Sequence, residues 1–259
     1  MKPENTLNEK QGHWILAKLG KRVLRPGGRE LTEILIKNLN ISPSDDVVEF
    51  APGLGLTAAL TCTNKPHSYT GVDINEEATK IVRKKIHYDK AKIIIADASN
   101  TTLPDACATK VYGEAMLTMQ PLEHKKAIIA EAFRILKSGG YYGIHELALK
   151  PDDVSEEIKQ EIFKELSSSI RVHARPMTAS EWISLLEEQG FKVKNVAHNP
   201  MLLLERKRIF QDEGIFRGLK FLINLCLHRE LRVRVLKMRG VFRKYLEQLE
   251  GISIVVEKP

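Results

Sequence analysis

Little in this chain is built for an oxidising compartment or for spanning a bilayer. Its 259 residues hold three cysteines, Cys62, Cys107 and Cys226, odd in number and scattered. They form no C-x-x-C pair, which argues against a disulfide framework and a zinc site and for a reducing, cytoplasmic setting; no metal is expected. No continuous apolar run approaches the roughly 20 residues of a membrane-spanning helix. The opening Met1-Lys2-Pro3-Glu4-Asn5 is polar and does not read as a leader peptide. Aromatics make up only 6% of residues, and no RNA-binding module is recognisable. What is present is 43% apolar content, enough for a real core, and a net charge of +7 that admits acidic partners.

Residues 47–58, Val-Val-Glu-Phe-Ala-Pro-Gly-Leu-Gly-Leu-Thr-Ala, organise the rest. A short apolar run ending in Glu49 and Phe50 reads as a buried parallel strand. A turn with Gly53 and Gly55 follows, and a helix begins at Leu56. Glycine accepts positive φ and lets a ligand approach the backbone, and the helix start offers unpaired N–H groups. Taken alone, Gly53-x-Gly55-x-x-Ala58 also fits a dinucleotide fingerprint. A second run, Tyr69-Thr-Gly-Val-Asp73, places a carboxylate on the neighbouring strand tip, where it can accept both hydroxyls of a ribose. A third, Lys92-Ile-Ile-Ile-Ala96, ends in Asp97-Ala98.

Glu49-x-Ala51-x-Gly53-x-Gly55, then Asp73, then Asp97-Ala98, resembles the cofactor site of class I S-adenosylmethionine-dependent methyltransferases. The resemblance implies S-adenosylmethionine as cofactor. Gly53 and Gly55 would lie under its methionine part and ribose, Asp73 would meet the ribose hydroxyls, Asp97 with Ala98 the adenine amino group, and Ile74 would also touch the cofactor. One departure is visible: Ala51-Pro52 stands where glycine and a variable residue are commoner, and proline removes a backbone donor. The sequence Ile135-Leu136-Lys137-Ser138-Gly139-Gly140 before a strand is similar to small-molecule methyltransferases of ubiquinone and menaquinone biosynthesis. The likeness thus spans residues 47–147. It implies a doubly wound, Rossmann-like α/β fold with a seven-stranded, mostly parallel sheet. Its order would be 3-2-1-4-5-7-6, the last strand antiparallel.

Around this frame several residues have two readings. Arg25, in the turn after an N-terminal helix, either faces the cofactor carboxylate or acceptor or is a solvated turn residue. The loop 114–121, where the family brings the acceptor to the sulfonium, puts Glu114 near the cofactor. It leaves Met116 and Met119 as pocket wall or as core filler. That loop lacks both the Asn/Asp-Pro-Pro-aromatic sequence of base-amine methylation and the cysteine of carbon-5 pyrimidine methylation. His145, at a strand's carboxyl end, is a general base for a hydroxyl or thiol acceptor or a structural histidine. Residues 154–170 read as a polar helix in a lid position, and Thr178-Ala-Ser-Glu181 as a capping box.

The division expected is a methyltransferase domain at 1–199 and 251–259, with helices in 1–40 as a cap and a basic helical insertion at 200–250. That insertion holds twelve Lys/Arg against six acids. Two helices are readable there, one carrying Ile215, Leu219, Leu222, Ile223 and Cys226, the other Leu231, Val235, Met238, Phe242, Tyr245 and Leu249. Three readings stand: a lid or homodimer-forming subdomain, a peripheral contact with an anionic membrane, and, less favoured for want of interleaved aromatics, nucleic-acid binding. The expected activity is in-line methyl transfer to a small-molecule acceptor, the atom methylated left open. RNA, protein or a membrane-associated lipid- or quinone-like molecule are the alternative acceptors.

Overall fold

The computed structural model describes residues 11–259, so the polar opening at residues 1–5 lies outside it. Helices α1 (Gly12–Lys18) and α2 (Gly28–Leu39) lead into alternating elements: β1 (Asp46–Phe50), α3 (Leu56–Thr63), β2 (Ser68–Asp73), α4 (Glu76–Lys85) and β3 (Ala91–Ile95). Next come β4 (Ala108–Glu114), α5 (Leu122–Ile135), β5 (Leu136–Leu149), α6 (Glu156–Ile170), the two-residue β6 (Met177–Thr178), α7 (Ala179–Glu187) and β7 (Lys192–Pro200). Helices α8 (Arg206–Glu213), α9 (Ile215–Leu227) and α10 (Arg229–Lys244) then separate β7 from β8 (Leu249–Glu257).

The hydrogen-bonded order is β3-β2-β1-β4-β5-β8-β7, with β6 attached to β5 off that path. Strand β8 is antiparallel to both its neighbours, and the other pairings are parallel. Leaving β6 aside, this is the order the sequence implies.

Strand alternation divides the core. Val47 packs with Leu35, Leu39 and Val82 on one face, and Val48 with Ile129 and Ala132 on the other. Ile254 and Val255 of β8 part in the same way. Helix α2 lies close over β5 because residue 143 has no side chain: a Cβ there would stand 2.6 Å from Leu35 Cδ1. A third core is mostly helical, joining Ile15, Leu166, Val235 and Met238 to Leu147 and Leu149 at the carboxyl end of β5.

Local signals behave as their chemistry requires. Asn75 accepts from the Ala78 amide at 3.0 Å, and Thr178 and Glu181 complete a reciprocal capping box. Two boundaries differ from the sequence reading. The expected helix-ending stretch 136–140 already belongs to β5, because Leu136 pairs with Ala108 before the register shifts. The insertion holds three helices, not two, since Gly214 at φ 77° breaks α8 from α9, and its last helix stops at Lys244, so Tyr245 only caps it and Leu249 already opens β8.

Candidate active site

A cavity of about 620 Å³ opens where the parallel strands end, the side on which open α/β sheets take ligands. Every expected site residue except Gly55 and His145 lines it. At the glycine turn Ala51, Gly53 and Gly55 have φ of 51°, 53° and 66°. The left-handed conformation of Ala51 explains why glycine suits that position; a non-glycine there costs about 1–2 kcal/mol. Pro52 has no amide to give, but its carbonyl accepts from Gly55 N at 2.8 Å and closes the turn. Gly55 stands one layer back as the N-cap of α3, against Val82.

The two rim acids are shaped by their own turns. Asp73, 8% exposed, accepts from the Asn75 amide at 2.8 Å, and burial pushes its carboxyl above the usual range. Beside it Ile74 is 65% exposed, an apolar surface turned into the cavity. Asp97 accepts from the Ser99 amide at 2.8 Å and hydroxyl at 2.7 Å, and His124 Nε2 lies 3.4 Å away. A flat apolar shelf between two rim carboxylates, above a loop with little side chain, fits the shape and donor pattern of an adenosine.

Arg25 is no solvated turn residue. Its Nη1 pairs with Glu114 and reaches the hydroxyls of Thr57 and Thr32. Thr32 donates to Glu114 at 2.7 Å, and His145 Nδ1 meets the same carboxylate at 2.8 Å. Burial alone would raise the Glu114 carboxyl, but Arg25 and His145 hold it at about 2. His145 Nε2 faces the Pro26 carbonyl at 2.5 Å, and the side chain is fully buried. Both ring nitrogens therefore point at oxygens of the protein. Of the two readings of His145, general base or structural histidine, the position fits the second: the ring stands behind the cavity wall, where it braces Glu114.

Glu146 is the neighbour that shapes the acceptor loop. Its carboxylate accepts from the amides of Met116, Leu117 and Thr118 at 2.8–3.0 Å and from the Thr118 hydroxyl at 2.7 Å. These bonds hold Met116 and Met119 in the wall. Beyond them the cavity continues into an apolar chamber formed by Leu16, Leu166, Ile170, Met201, Met238 and Phe242. Sequence reading missed Thr57 and His124, and placed Glu146 at the ligand end of its strand without a role. Their signal was weak: a helix residue, an exposed-looking histidine, and an acid hidden in an apolar strand.

Glu49 accepts from Tyr69 Oη at 2.5 Å and Tyr112 Oη at 2.7 Å. Burial pushes its carboxyl up to about 7 from an ordinary 4.5, against those two donors. The folded state thus keeps this proton longer than the unfolded chain. The stabilisation is full below pH 4.5 and is lost as pH rises through about 7. Urea unfolding of the ligand-free protein is expected to show a loss of roughly 3 kcal/mol over that window, which Glu49→Gln removes. Equal pH slopes for the two proteins would contradict this.

The geometry can be set beside known proteins. A family model described as a methyltransferase domain matches residues 48–144. An uncharacterised protein of Haemophilus influenzae is 34% identical over 251 residues, covering 95% of this chain and 98% of its own. The phthiotriol/phenolphthiotriol dimycocerosates methyltransferase of Mycobacterium tuberculosis is 31% identical over 102 residues, 39% of this chain but only 37% of that enzyme. In fold, a geranyl diphosphate methyltransferase solved in complex with S-adenosylmethionine superposes with a TM-score of 0.65 at 12% identity, over 88% of this chain and 84% of that one. With the glycine turn and rim acids in one cavity, these matches give the family: the chain belongs to the class I S-adenosylmethionine-dependent methyltransferases.

Proposed function

We propose that the chain methylates an apolar small molecule seated in the chamber between α6 and α10. The observation that carries this reading is the two-part cavity: a polar cup over the glycine turn, continuous with a chamber walled by Leu166, Ile170, Met238 and Phe242. S-adenosylmethionine supplies a methyl group already activated on a sulfonium, so in-line displacement needs alignment and exclusion of water above all. Such positioning alone can lower a barrier by about 7–11 kcal/mol.

In this reading Asp73 takes the ribose hydroxyls, Ile74 lies against the adenine, and Asp97 with Ala98 meets its amino group. Arg25, held by Glu114, presents a guanidinium to the methionine carboxylate, and His145 positions Glu114 rather than moving a proton. Met116 and Met119, fixed through Glu146, separate cofactor from acceptor. A charged acceptor would lose its hydration in the chamber without gaining a partner, so the walls select against it.

Release of S-adenosylhomocysteine, followed across acceptors, tests the proposal. Turnover is expected with apolar phenols, quinol precursors and lipid-like alcohols, and not with hydrophilic amines or thiols. Methylation of RNA or protein alone would sink it. A narrower test is Met238→Trp, which fills the chamber: kcat/KM should fall at least about tenfold through KM, with cofactor affinity unchanged. Unaltered KM would place the acceptor elsewhere.

A further inference from the structure

Helix α9 packs one side and leaves another bare. Gly218 and Phe221 are buried. Ile215 (74% exposed), Phe216 (89%), Leu219 and Ile223 (50% each) and Leu227 (73%) stand in solvent. With 3.6 residues per turn these five fall within one arc of roughly 120°. Helix α10 adds Val233 (60%) and Leu236 (50%). Seven of the thirteen exposed large hydrophobic side chains of the described residues thus lie between residues 215 and 236. That is a patch, whereas single exposed apolar residues need no explanation.

The charges divide in a matching way. Arg239 and Arg243 pair with Glu205, Lys244 with Glu161 and Glu165, and Arg208 with Glu30. Arg217, Lys220, Arg229 and Lys237, which flank the bare apolar surface, have no carboxylate partner among the described residues. Glu230 is the one acid between residues 214 and 246. Bare apolar surface and unneutralised cations therefore occur together.

We infer that α9 and the first turns of α10 lie in the interface of an anionic lipid bilayer, as a peripheral anchor. Such a surface meets both needs, an apolar layer for the stripe and negative headgroups for the cations. A second copy of the chain does not: a two-fold contact on this face sets the cations against themselves. RNA would answer the charges and leave Phe216 and Leu227 in water. The anchor is independent of the acceptor's identity, because its test reads no turnover.

The full chain is sedimented with vesicles of phosphatidylcholine alone and of phosphatidylcholine mixed with phosphatidylglycerol. It should pellet with the mixed vesicles, and less so as salt rises. The double variant Phe216→Ser, Leu227→Ser should lower the partition coefficient at least about tenfold. Arg217→Gln with Lys220→Gln should reduce the preference for phosphatidylglycerol. Unchanged S-adenosylhomocysteine binding by calorimetry shows that each variant is folded. Wild-type protein left in the supernatant with mixed vesicles overturns the inference. So does a dimer in sedimentation velocity that the serine variant splits, or capture by RNA without capture by vesicles.

Discussion

Asp73→Ala is expected to weaken S-adenosylhomocysteine binding by about 10²- to 10⁴-fold. Each hydrogen bond to an ionised carboxylate contributes about 1.5–3 kcal/mol, and a ribose offers two hydroxyls. Desolvation adds to the effect, since the side chain is 8% exposed before anything binds. The same carboxylate accepts from the Asn75 amide at 2.8 Å, so its removal also frees a turn. Against that, the variant no longer buries a carboxyl that burial has pushed up. The two effects oppose each other, and the unfolding midpoint should stay near that of the wild type. Titration calorimetry reads the first quantity and urea unfolding the second. Wild-type affinity in a folded Asp73→Ala protein would take the ribose away from this residue.

Lys21→Ala should destabilise the protein by about 3–5 kcal/mol, a fall in Tm of roughly 10 °C for a chain of this length. Lys21 lies 3.5 Å from Asp212 and 4.0 Å from Glu213, with all three side chains essentially buried. Burial lowers its pKa against the pull of both acids. Those acids end α8 and hold the N-terminal segment. Glu213 accepts from the amides of Arg22 and Val23 at 2.6 and 2.8 Å, and Asp212 from that of Arg29 at 3.0 Å. Removing the lysine leaves two buried carboxylates side by side, with the partly exposed Arg22 Nε, 3.2 Å from Glu213, to offset only one of them. The triple variant Lys21→Met, Asp212→Asn, Glu213→Gln removes the charges together and should recover most of the loss, because isolated charge rather than missing contact is the cause. A loss below about 1 kcal/mol in Lys21→Ala would show that water reaches the clasp.

The clasp also marks where sequence reading stops. Strand ends, glycine turn and rim acids were legible because each is local: an apolar run, a turn residue and an acid within a few positions. Asn75 and the Thr178–Glu181 box were legible for the same reason. Arg25 was ambiguous because its partners, Thr57 and Glu114, are distant in the chain and only the sheet brings them to it. His145 kept two readings because a histidine at a strand end has the same local pattern whether it faces the cavity or the Pro26 carbonyl. Glu146 was invisible as a loop anchor, since its role comes from three amides that the chain places about thirty residues earlier. In 200–250 the charge excess and the stripes were plain, but not which cations find acids.

Strand β8 sits between β5 and β7, yet it is made after β7 and after the whole of residues 201–248. While the ribosome adds those residues, β5 lacks a partner on one edge and β7, the outermost strand of the finished sheet, on both, and the sheet closes from within when residues 249–257 arrive. Newborn chains interrupted before that point carry two sticky ribbons and are natural clients for chaperones and proteases.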